Sequence, residues 1–332
     1  MKIVFFEIQD WEKEIIQRQF PDLELEFFKE PLTQHSIEKL KATDILSVFI
    51  YSKITRQMIH QLPNLKFITT RSTGFDHIDL EACRDNNIQV GNVPYYGENT
   101  VAEHTFGLIL SLSRNIHKSY VRVQRNNFST EGLKGFDLKD KTIGVIGTGR
   151  IGLHVIRMAG GFGMDILAYD INQDGFLAEV LGFEYVGLDE ILKNSDVVTL
   201  HVPYNKHTHH MINQNNINKF KKGAILINTS RGGLIETEAL LTGLKKEILS
   251  GVGLDVIEGE EYIIEDKQMI RDDEESEVWA QIVKDQMILH NENVVFTPHI
   301  AFYSQEALER ILDTTIVNIR KFQKGEFTDS LV

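Results

Sequence analysis

A single cysteine, Cys83, stands in 332 residues, so no disulfide can close within the chain and a reducing compartment fits. It lies in Leu80-Glu81-Ala82-Cys83-Arg84, a stretch of helical character, where a thiol packs rather than reacts. Positive charge is also scarce. The 35 Lys and Arg are outnumbered by 48 Asp and Glu, and the formal net charge of −13 argues against a nucleic-acid partner. An anionic small molecule is not excluded, because one well-placed Arg overrides the mean field locally. Long apolar runs are missing. The richest, around Phe106-Gly107-Leu108-Ile109-Leu110, is far too short to span a bilayer, so no membrane partner is expected. The apolar start, Met1-Lys2-Ile3-Val4-Phe5-Phe6, is interrupted by Glu7 and reads as a strand, not a leader. A cytoplasmic location is the expectation. There is no repeat at solenoid spacing and no low-complexity linker.

The strongest positive signal is Thr142-Ile143-Gly144-Val145-Ile146-Gly147-Thr148-Gly149-Arg150-Ile151-Gly152. An apolar strand enters Gly-x-Gly-x-x-Gly, and a helical segment follows with Val155, Ile156 and Met158 on its apolar side. A second strand, Ile166-Leu167-Ala168-Tyr169, ends at Asp170, about 20 residues beyond the glycines, which is the dinucleotide-binding layout. Gly147 allows the tight turn, Gly149 lets a pyrophosphate approach the backbone, and Gly152 lets helix and strand pack closely. The helix N-terminus offers free N–H groups and the positive end of its dipole. Asp170 suits ribose hydroxyls and repels a 2′-phosphate, so NAD is the expected cofactor.

Strands are expected at 2–6, 24–28, 45–49, 66–69 and 89–90, with helices between them, such as 11–20 and 54–61. Residues 100–120 read as one long helix capped by Asn99. After the glycines, strands are expected at 143–147, 166–169, 197–201, 224–228, 251–255 and 294–297. The charged amphipathic tail, 304–325, has no strand left to follow and should pack back on the first domain. The expected domains are therefore 1–99 plus 300–332, around a central dinucleotide-binding domain of 100–299. Residues 259–293 are acid-rich and strandless, an insertion with a short helix near 278–283.

Ligands bind beyond the carboxyl ends of such strands, which singles out three segments. In Asn228-Thr229-Ser230-Arg231-Gly232, the strand delivers Arg231, whose planar fork suits a carboxylate. A surface arginine in a turn is the plain alternative. In Gly253-Leu254-Asp255-Val256-Ile257-Glu258-Gly259-Glu260-Glu261, Asp255 ends a strand and several glutamates follow. Spacing alone does not choose among Glu258, Glu260 and Glu261. In Val295-Phe296-Thr297-Pro298-His299, Pro298 stops the strand and leaves His299 at the crevice, placed for proton transfer. His201, His207, His209 and His210 also cluster, but no cysteine or carboxylate ligand pattern accompanies them, so no metal is expected.

The whole chain resembles the D-isomer-specific 2-hydroxyacid dehydrogenases. The resemblance rests on Thr-Arg-Ser-Thr-Gly-Phe-Asp-His-Ile-Asp at 70–79, Asn-Val-Pro-Tyr-Tyr at 92–96, Val-Ala-Glu-His at 101–104 and the glycine fingerprint. It rests equally on Leu-His-Val-Pro at 200–203, Asn-Thr-Ser-Arg-Gly at 228–232 and Thr-Pro-His-Ile-Ala-Phe-Tyr at 297–303. It implies an α/β fold of two doubly wound parallel-sheet domains, a Rossmann NAD-binding domain inserted in a flavodoxin-like substrate domain. It implies a homodimer, a small 2-oxo or 2-hydroxy acid as substrate, and the family's catalytic Arg, Glu and His at Arg231, Glu260 and His299. Backbone amides at Thr73 and Gly74 would hold the substrate carboxylate, with Tyr96 beside them and Phe49 as an aromatic wall. Arg150, Ile151, Val202, Pro203 and Thr229 would line the cofactor, and Asp255 would hold its nicotinamide amide. The Ala301-Phe302-Tyr303 segment favours the branch that reduces pyruvate to D-lactate. One departure is visible: the family often has Glu-Pro at the catalytic acid, whereas Glu261 follows Glu260 here. The alternatives are a reductase of glyoxylate, hydroxypyruvate or branched 2-oxo acids, and a non-enzymatic NAD-sensing transcriptional partner, which would keep the same fold.

Overall fold

Short strands, apolar and buried at the sheet centres, form two parallel sheets in a computed structural model that describes residues 1–259 and 275–332. The chain divides into two units, Met1–Tyr96 with Ser304–Val332, and Gly97–Tyr303. The crossings fall three residues before the expected 99/100 and four after the expected 299/300.

The first unit holds β1 (Lys2–Phe5), β2 (Glu24–Phe27), β3 (Ile45–Val48), β4 (Phe67–Thr70) and β5 (Gln89–Gly91) in the order β2-β1-β3-β4-β5, all parallel. This is the flavodoxin-like order, with its switch point between β1 and β3. The strand period of two splits the core into layers. Ile3, Phe5, Ile45 and Phe67 meet Leu312, Ile316 and Ile319 of the tail helix Gln305–Lys324. Val4, Phe6, Leu46, Val48, Ile68 and Val90 meet Met58, Ile59, Ala82 and Cys83 on the other face. Cys83 is buried, and desolvation pushes its thiol up to about 12, which keeps it inert.

The second unit holds β6 (Thr142–Ile146), β7 (Asp165–Tyr169), β8 (Glu184–Tyr185), β9 (Val197–Leu200), β10 (Ala224–Asn228), β11 (Leu249–Leu254) and β12 (Val294–Phe296). Their order is β12-β11-β10-β9-β6-β7-β8, a Rossmann sheet with one strand added at the β12 edge. Helices Glu98–Ser113 and Arg150–Gly161 cover one face through Phe106, Ile109, Val155 and Ile156. Ile191, Leu192, Ala239 and Leu240 cover the other.

Several local expectations are corrected. The two-residue β8 was not anticipated. The helix expected at 100–120 is two helices, Glu98–Ser113 and Ile116–Gln124, because Asn115 turns left-handed with φ 52°. The first is capped by Gly97, while Asn99 sits inside it and bonds Glu103 one turn on. The short helix near 278–283 is Glu275–Leu289.

Candidate active site

The switch point of the larger sheet lies between β6 and β9, and the glycine fingerprint fills it. Gly147 follows β6 with φ 99°, a conformation that disfavours any side chain, and its amide donates to the Tyr169 carbonyl at 2.8 Å. A Cβ at Gly152 would stand 1.9 Å from the Gly147 carbonyl oxygen, so only glycine lets the helix begin this close to the strand. A Cβ at Gly149 would meet nothing within 4 Å, so that glycine keeps the outer approach to the helix N-terminus clear. A crowded inner side and an open outer side are what a pyrophosphate on this helix end requires, and the cradle fits a dinucleotide.

Arg150 and Ile151 open the helix. Arg150 is exposed and pairs with Glu98 Oε1 at 3.5 Å, and Ile151 is half-buried. Asp170 ends the neighbouring strand. Its Oδ2 accepts from Thr148 N at 2.7 Å and Thr148 Oγ1 at 3.2 Å, and its Oδ1 accepts from Asn172 N at 2.9 Å. Thr148, between the first two glycines of the fingerprint, therefore fixes the acid relative to them. Across the switch point, Val202 is half-buried, Pro203 is exposed, and the Val202 carbonyl accepts from Ser230 Oγ at 2.7 Å. Thr229 Oγ1 lies 3.1 Å from Thr105 Oγ1.

Arg231 and His299 are joined by a chain of short bonds. Buried Asn228 donates through Nδ2 to the Arg231 carbonyl at 2.9 Å and accepts from Ser230 N at 3.0 Å, a turn that throws Arg231 out beyond β10. The Asn228 carbonyl accepts from Asp255 N at 2.9 Å, and the Asp255 carbonyl accepts from His299 N at 2.8 Å. His299 is half-buried, has φ 53°, and meets Phe302 edge-on with ring centroids 6.5 Å apart. A left-handed histidine is strained unless its surroundings hold it, and here they do.

Asp255 is the main restraint. It is fully buried, and its carboxylate accepts from Thr297 Oγ1 at 2.5 Å, Ile300 N at 2.9 Å and Ala301 N at 2.8 Å, with His104 Nε2 3.4 Å away. The family resemblance assigns this carboxylate to a nicotinamide amide. In the structure it anchors the segment that carries His299. His104 also lies 2.9 Å from Thr297 Oγ1. Asn228, His104 and Thr297 were not named as site residues, although an Asn at a strand end before Thr-Ser is a recognisable turn signal.

Glu260 and Glu261 lie outside the described residues. Glu258 is described and committed elsewhere. Its Oε1 is 2.5 Å from His210 Nε2, and its Oε2 accepts from Thr237 N at 3.1 Å and Thr237 Oγ1 at 2.7 Å. Burial alone would raise its carboxyl, but these bonds hold it below the usual range. Two more of the clustered histidines are engaged. His209 stacks on His210 at 3.7 Å and bonds Tyr204, while His201 bonds Thr199 Oγ1 at 2.9 Å. Burial pushes the His201 imidazole down to about 3, which keeps it neutral.

In the first unit, four candidate positions follow strand ends. Phe49 comes directly after β3, and Thr73 and Gly74 sit in the loop after β4. Thr73 Oγ1 donates to the Val93 carbonyl at 2.9 Å, its own carbonyl accepts from Asn92 Nδ2 at 2.8 Å, and the Gly74 carbonyl accepts from Ser72 Oγ at 2.7 Å. Side chains thus brace this loop from both sides. Tyr96 is half-buried, and its carbonyl accepts from Arg310 Nε at 2.7 Å.

Residues 106–301 match the model of the D-isomer specific 2-hydroxyacid dehydrogenase NAD binding domain. The chain belongs to the D-isomer-specific 2-hydroxyacid dehydrogenases. It is an NAD-dependent enzyme of that family, and its second unit is the NAD-binding domain. It is 36% identical over 333 residues to D-lactate dehydrogenase of Escherichia coli, with 98% of each chain covered. It is 38% identical over 289 residues to an aromatic 2-oxoacid reductase of Clostridium sporogenes, covering 85% of this chain and 84% of that one. The structure of D-lactate dehydrogenase from Aquifex aeolicus, complexed with NAD and lactic acid, superposes with a TM-score of 0.88 at 39% identity. That match covers 98% of this chain and 96% of the other. Among the described residues, no helix is long and apolar enough to cross a membrane.

Proposed function

We propose that this dehydrogenase interconverts pyruvate and D-lactate. The carrying observation is the bond chain from Arg231 through Asn228 and Asp255 to His299. It ties the backbones of Arg231 and His299 to the ends of β10, β11 and β12, so that a carboxylate-binding cation and a proton-transfer group stand past strand ends two positions apart in the sheet of the NAD-binding domain. The likeness to D-lactate dehydrogenases, one of them bound to lactic acid, supports the choice of substrate.

In this reading the first unit is the substrate domain. The Thr73 and Gly74 amides and Arg231 hold the substrate carboxylate, and Arg231 also polarises the adjacent carbonyl. When bound, NADH supplies the hydride to the carbonyl carbon. His299, protonated, gives its proton to the carbonyl oxygen, and in the reverse direction it takes that proton back. Glu260 is the acid of the relay, the partner read for the other ring nitrogen. Asp255 holds the segment on which His299 stands. Phe49 and Tyr96 close the pocket over a small side chain. Gly149, Arg150 and Ile151 receive the pyrophosphate on the cradle that Gly147 and Gly152 shape, Asp170 takes the ribose, and Val202, Pro203 and Thr229 the nicotinamide side.

The proposal includes a homodimer, on altered grounds. The apolar residues Val101, Phe106, Leu108, Ile109 and Leu112 of Glu98–Ser113 are buried in the chain itself and offer no surface for a partner. What stays exposed is the following helix, Ile116–Gln124, which buries no residue and shows Ile116, Tyr120, Val121 and Val123. A second copy of the chain would cover this strip.

The test is turnover of NADH with pyruvate, glyoxylate, hydroxypyruvate and phenylpyruvate, by wild type and Arg231→Lys. Pyruvate should give the highest kcat/KM. Lys keeps the charge but not the fork, so efficiency should fall at least about 10²-fold, roughly 2.7 kcal/mol of transition-state binding. Preference for phenylpyruvate would place the enzyme with the aromatic 2-oxoacid reductases. Near-normal efficiency of the variant would remove Arg231 from the site.

A further inference from the structure

At the β1/β3 switch point of the first unit, the crevice where a flavodoxin-like sheet takes its ligand, a carboxylate grips the turn that carries Phe49. The carboxylate is Glu7, two residues beyond β1. Its Oε2 accepts from Phe49 N at 2.9 Å, and its Oε1 accepts from Tyr51 N at 2.9 Å. Ser52 Oγ donates a third bond to Oε2. Ser52 is itself fully buried and accepts from Leu32 N at 2.9 Å, so the turn is tied to the chain on both sides.

Glu7 is held in turn. Its φ of 55° is left-handed, which a glutamate adopts only at a cost. Buried Arg71, at the end of β4, donates through Nη2 to the carbonyls of Phe6 and Glu7, both at 2.7 Å, and through Nη1 to Ser47 Oγ at 3.1 Å. The Arg71 amide donates to the Val48 carbonyl at 2.8 Å, one residue before Phe49. The ends of β1, β3 and β4 are thereby locked together, with the acid on the outer side. A strand end that needed only to stop would not require a charged side chain satisfied by two consecutive-turn amides and a hydroxyl.

We propose that Glu7 is a specificity-positioning residue. Through its bonds to residues 49, 51 and 52 it sets where Phe49 stands, and so the length of 2-oxo acid side chain that the enzyme accepts. This rests on the reading of Phe49 as the wall over the substrate side chain.

The experiment is a double-mutant cycle on selectivity, read as the ratio of kcat/KM for pyruvate to that for phenylpyruvate. The variants are Glu7→Gln, Phe49→Ala and the double. Gln keeps the volume but replaces one oxygen by an NH2, which cannot accept from the Phe49 or Tyr51 amide, so at least one grip is lost. Glu7→Gln should lower the ratio about 10-fold, through KM rather than kcat, with the Kd for NADH within about 2-fold of wild type. In the Phe49→Ala background the same change should move the ratio by less than about 2-fold, because its effect passes through the missing ring. An unchanged ratio in soluble Glu7→Gln overturns the proposal. So does an equal shift in both backgrounds, which would mean that Glu7 acts elsewhere. If Phe49→Ala itself leaves the ratio unchanged, the proposal falls with the reading of Phe49, and the fault lies in that reading. If Glu7→Gln does not fold, Ser52→Ala removes one bond alone. It should lower the ratio about 3-fold, and no shift there overturns the proposal.

Discussion

Two glycines three residues apart should fail in opposite ways when each receives a methyl group. At Gly149 an added Cβ meets nothing within 4 Å, and the backbone, at φ −68° and ψ −172°, suits alanine. The lost N-cap preference for glycine offsets the gain from a stiffer unfolded chain, so Gly149→Ala should change stability by less than about 1 kcal/mol. The methyl instead enters the space left for the pyrophosphate. NADH affinity should weaken about 10- to 100-fold, or about 1.4 to 2.8 kcal/mol. At Gly152 the Cβ would lie 1.9 Å from the Gly147 carbonyl oxygen and 3.0 Å from its carbon. A backbone oxygen has no rotamer to retreat into, so helix and strand must part by roughly 1 Å. Over-packing of this kind costs about 1–3 kcal/mol, and a domain of this size should lose about 2–12 °C in Tm. Thermal unfolding and NADH fluorescence titration on both variants separate the effects. Wild-type NADH affinity in Gly149→Ala, or wild-type Tm in Gly152→Ala, would refute the assignment of the two faces.

Three further outcomes are expected. NADH should be strongly preferred to NADPH, and Asp170→Ala should narrow the ratio of kcat/KM by about 10-fold or more, since a carboxylate held by Thr148 and Asn172 cannot turn away from a 2′-phosphate. His201, whose folded value of about 3 lies below its unfolded value, contributes stability fully above the unfolded pKa near 6.5. That stability is lost as pH falls from there toward 3, at a slope of up to about 1.4 kcal/mol per pH unit. Urea unfolding at pH 7, 5.5 and 4.5 should show the slope in wild type and a flatter one in His201→Asn, and parallel curves would count against it. Light scattering at micromolar concentration should give twice the chain mass, falling to one chain in Tyr120→Asp/Val121→Asp, and a monomeric wild type would end the dimer proposal.

The features legible in the sequence were those with a period or a strict steric demand. Strands such as Ile45–Val48 and Ala224–Asn228 announce themselves because parallel strands buried on both faces are continuous apolar runs. The glycine fingerprint is legible because Gly147 and Gly152 have no substitutes. Arg231 and His299 follow from a topological rule, since both stand just past strand ends. What escaped the reading depends on partners distant in sequence. The left-handed Asn115 breaks a helix whose apolar pattern continues through it, and only the fold makes the break visible. The anchoring bonds of Asp255 are invisible in the sequence, because strand position says nothing about the Thr297, Ile300 and Ala301 groups, more than 40 residues away, that donate to it. Glu7 read only as the end of an apolar run, because its partners lie at 49–52.

The acid of the proposed relay is constrained by what Glu258 already does. Three glutamates follow Asp255 within six residues, and spacing alone left all three open. Glu258 faces His210 with one oxygen and the amide and hydroxyl of Thr237 with the other. Removing it to serve His299 would strand a half-buried imidazole and two donors, each unmet partner costing about 1–3 kcal/mol. No relay repays that at every turnover. Glu258 therefore ties the exit of β11 to the loop that ends at His210, and Gln281 Nε2 reinforces the tie by donating to the Glu258 carbonyl at 3.2 Å. This favours the proposal that a carboxylate for His299 comes from beyond Gly259, whose φ of 76° turns the chain just after Glu258. Glu260 is the first acid after that turn, and the family resemblance points to the same residue.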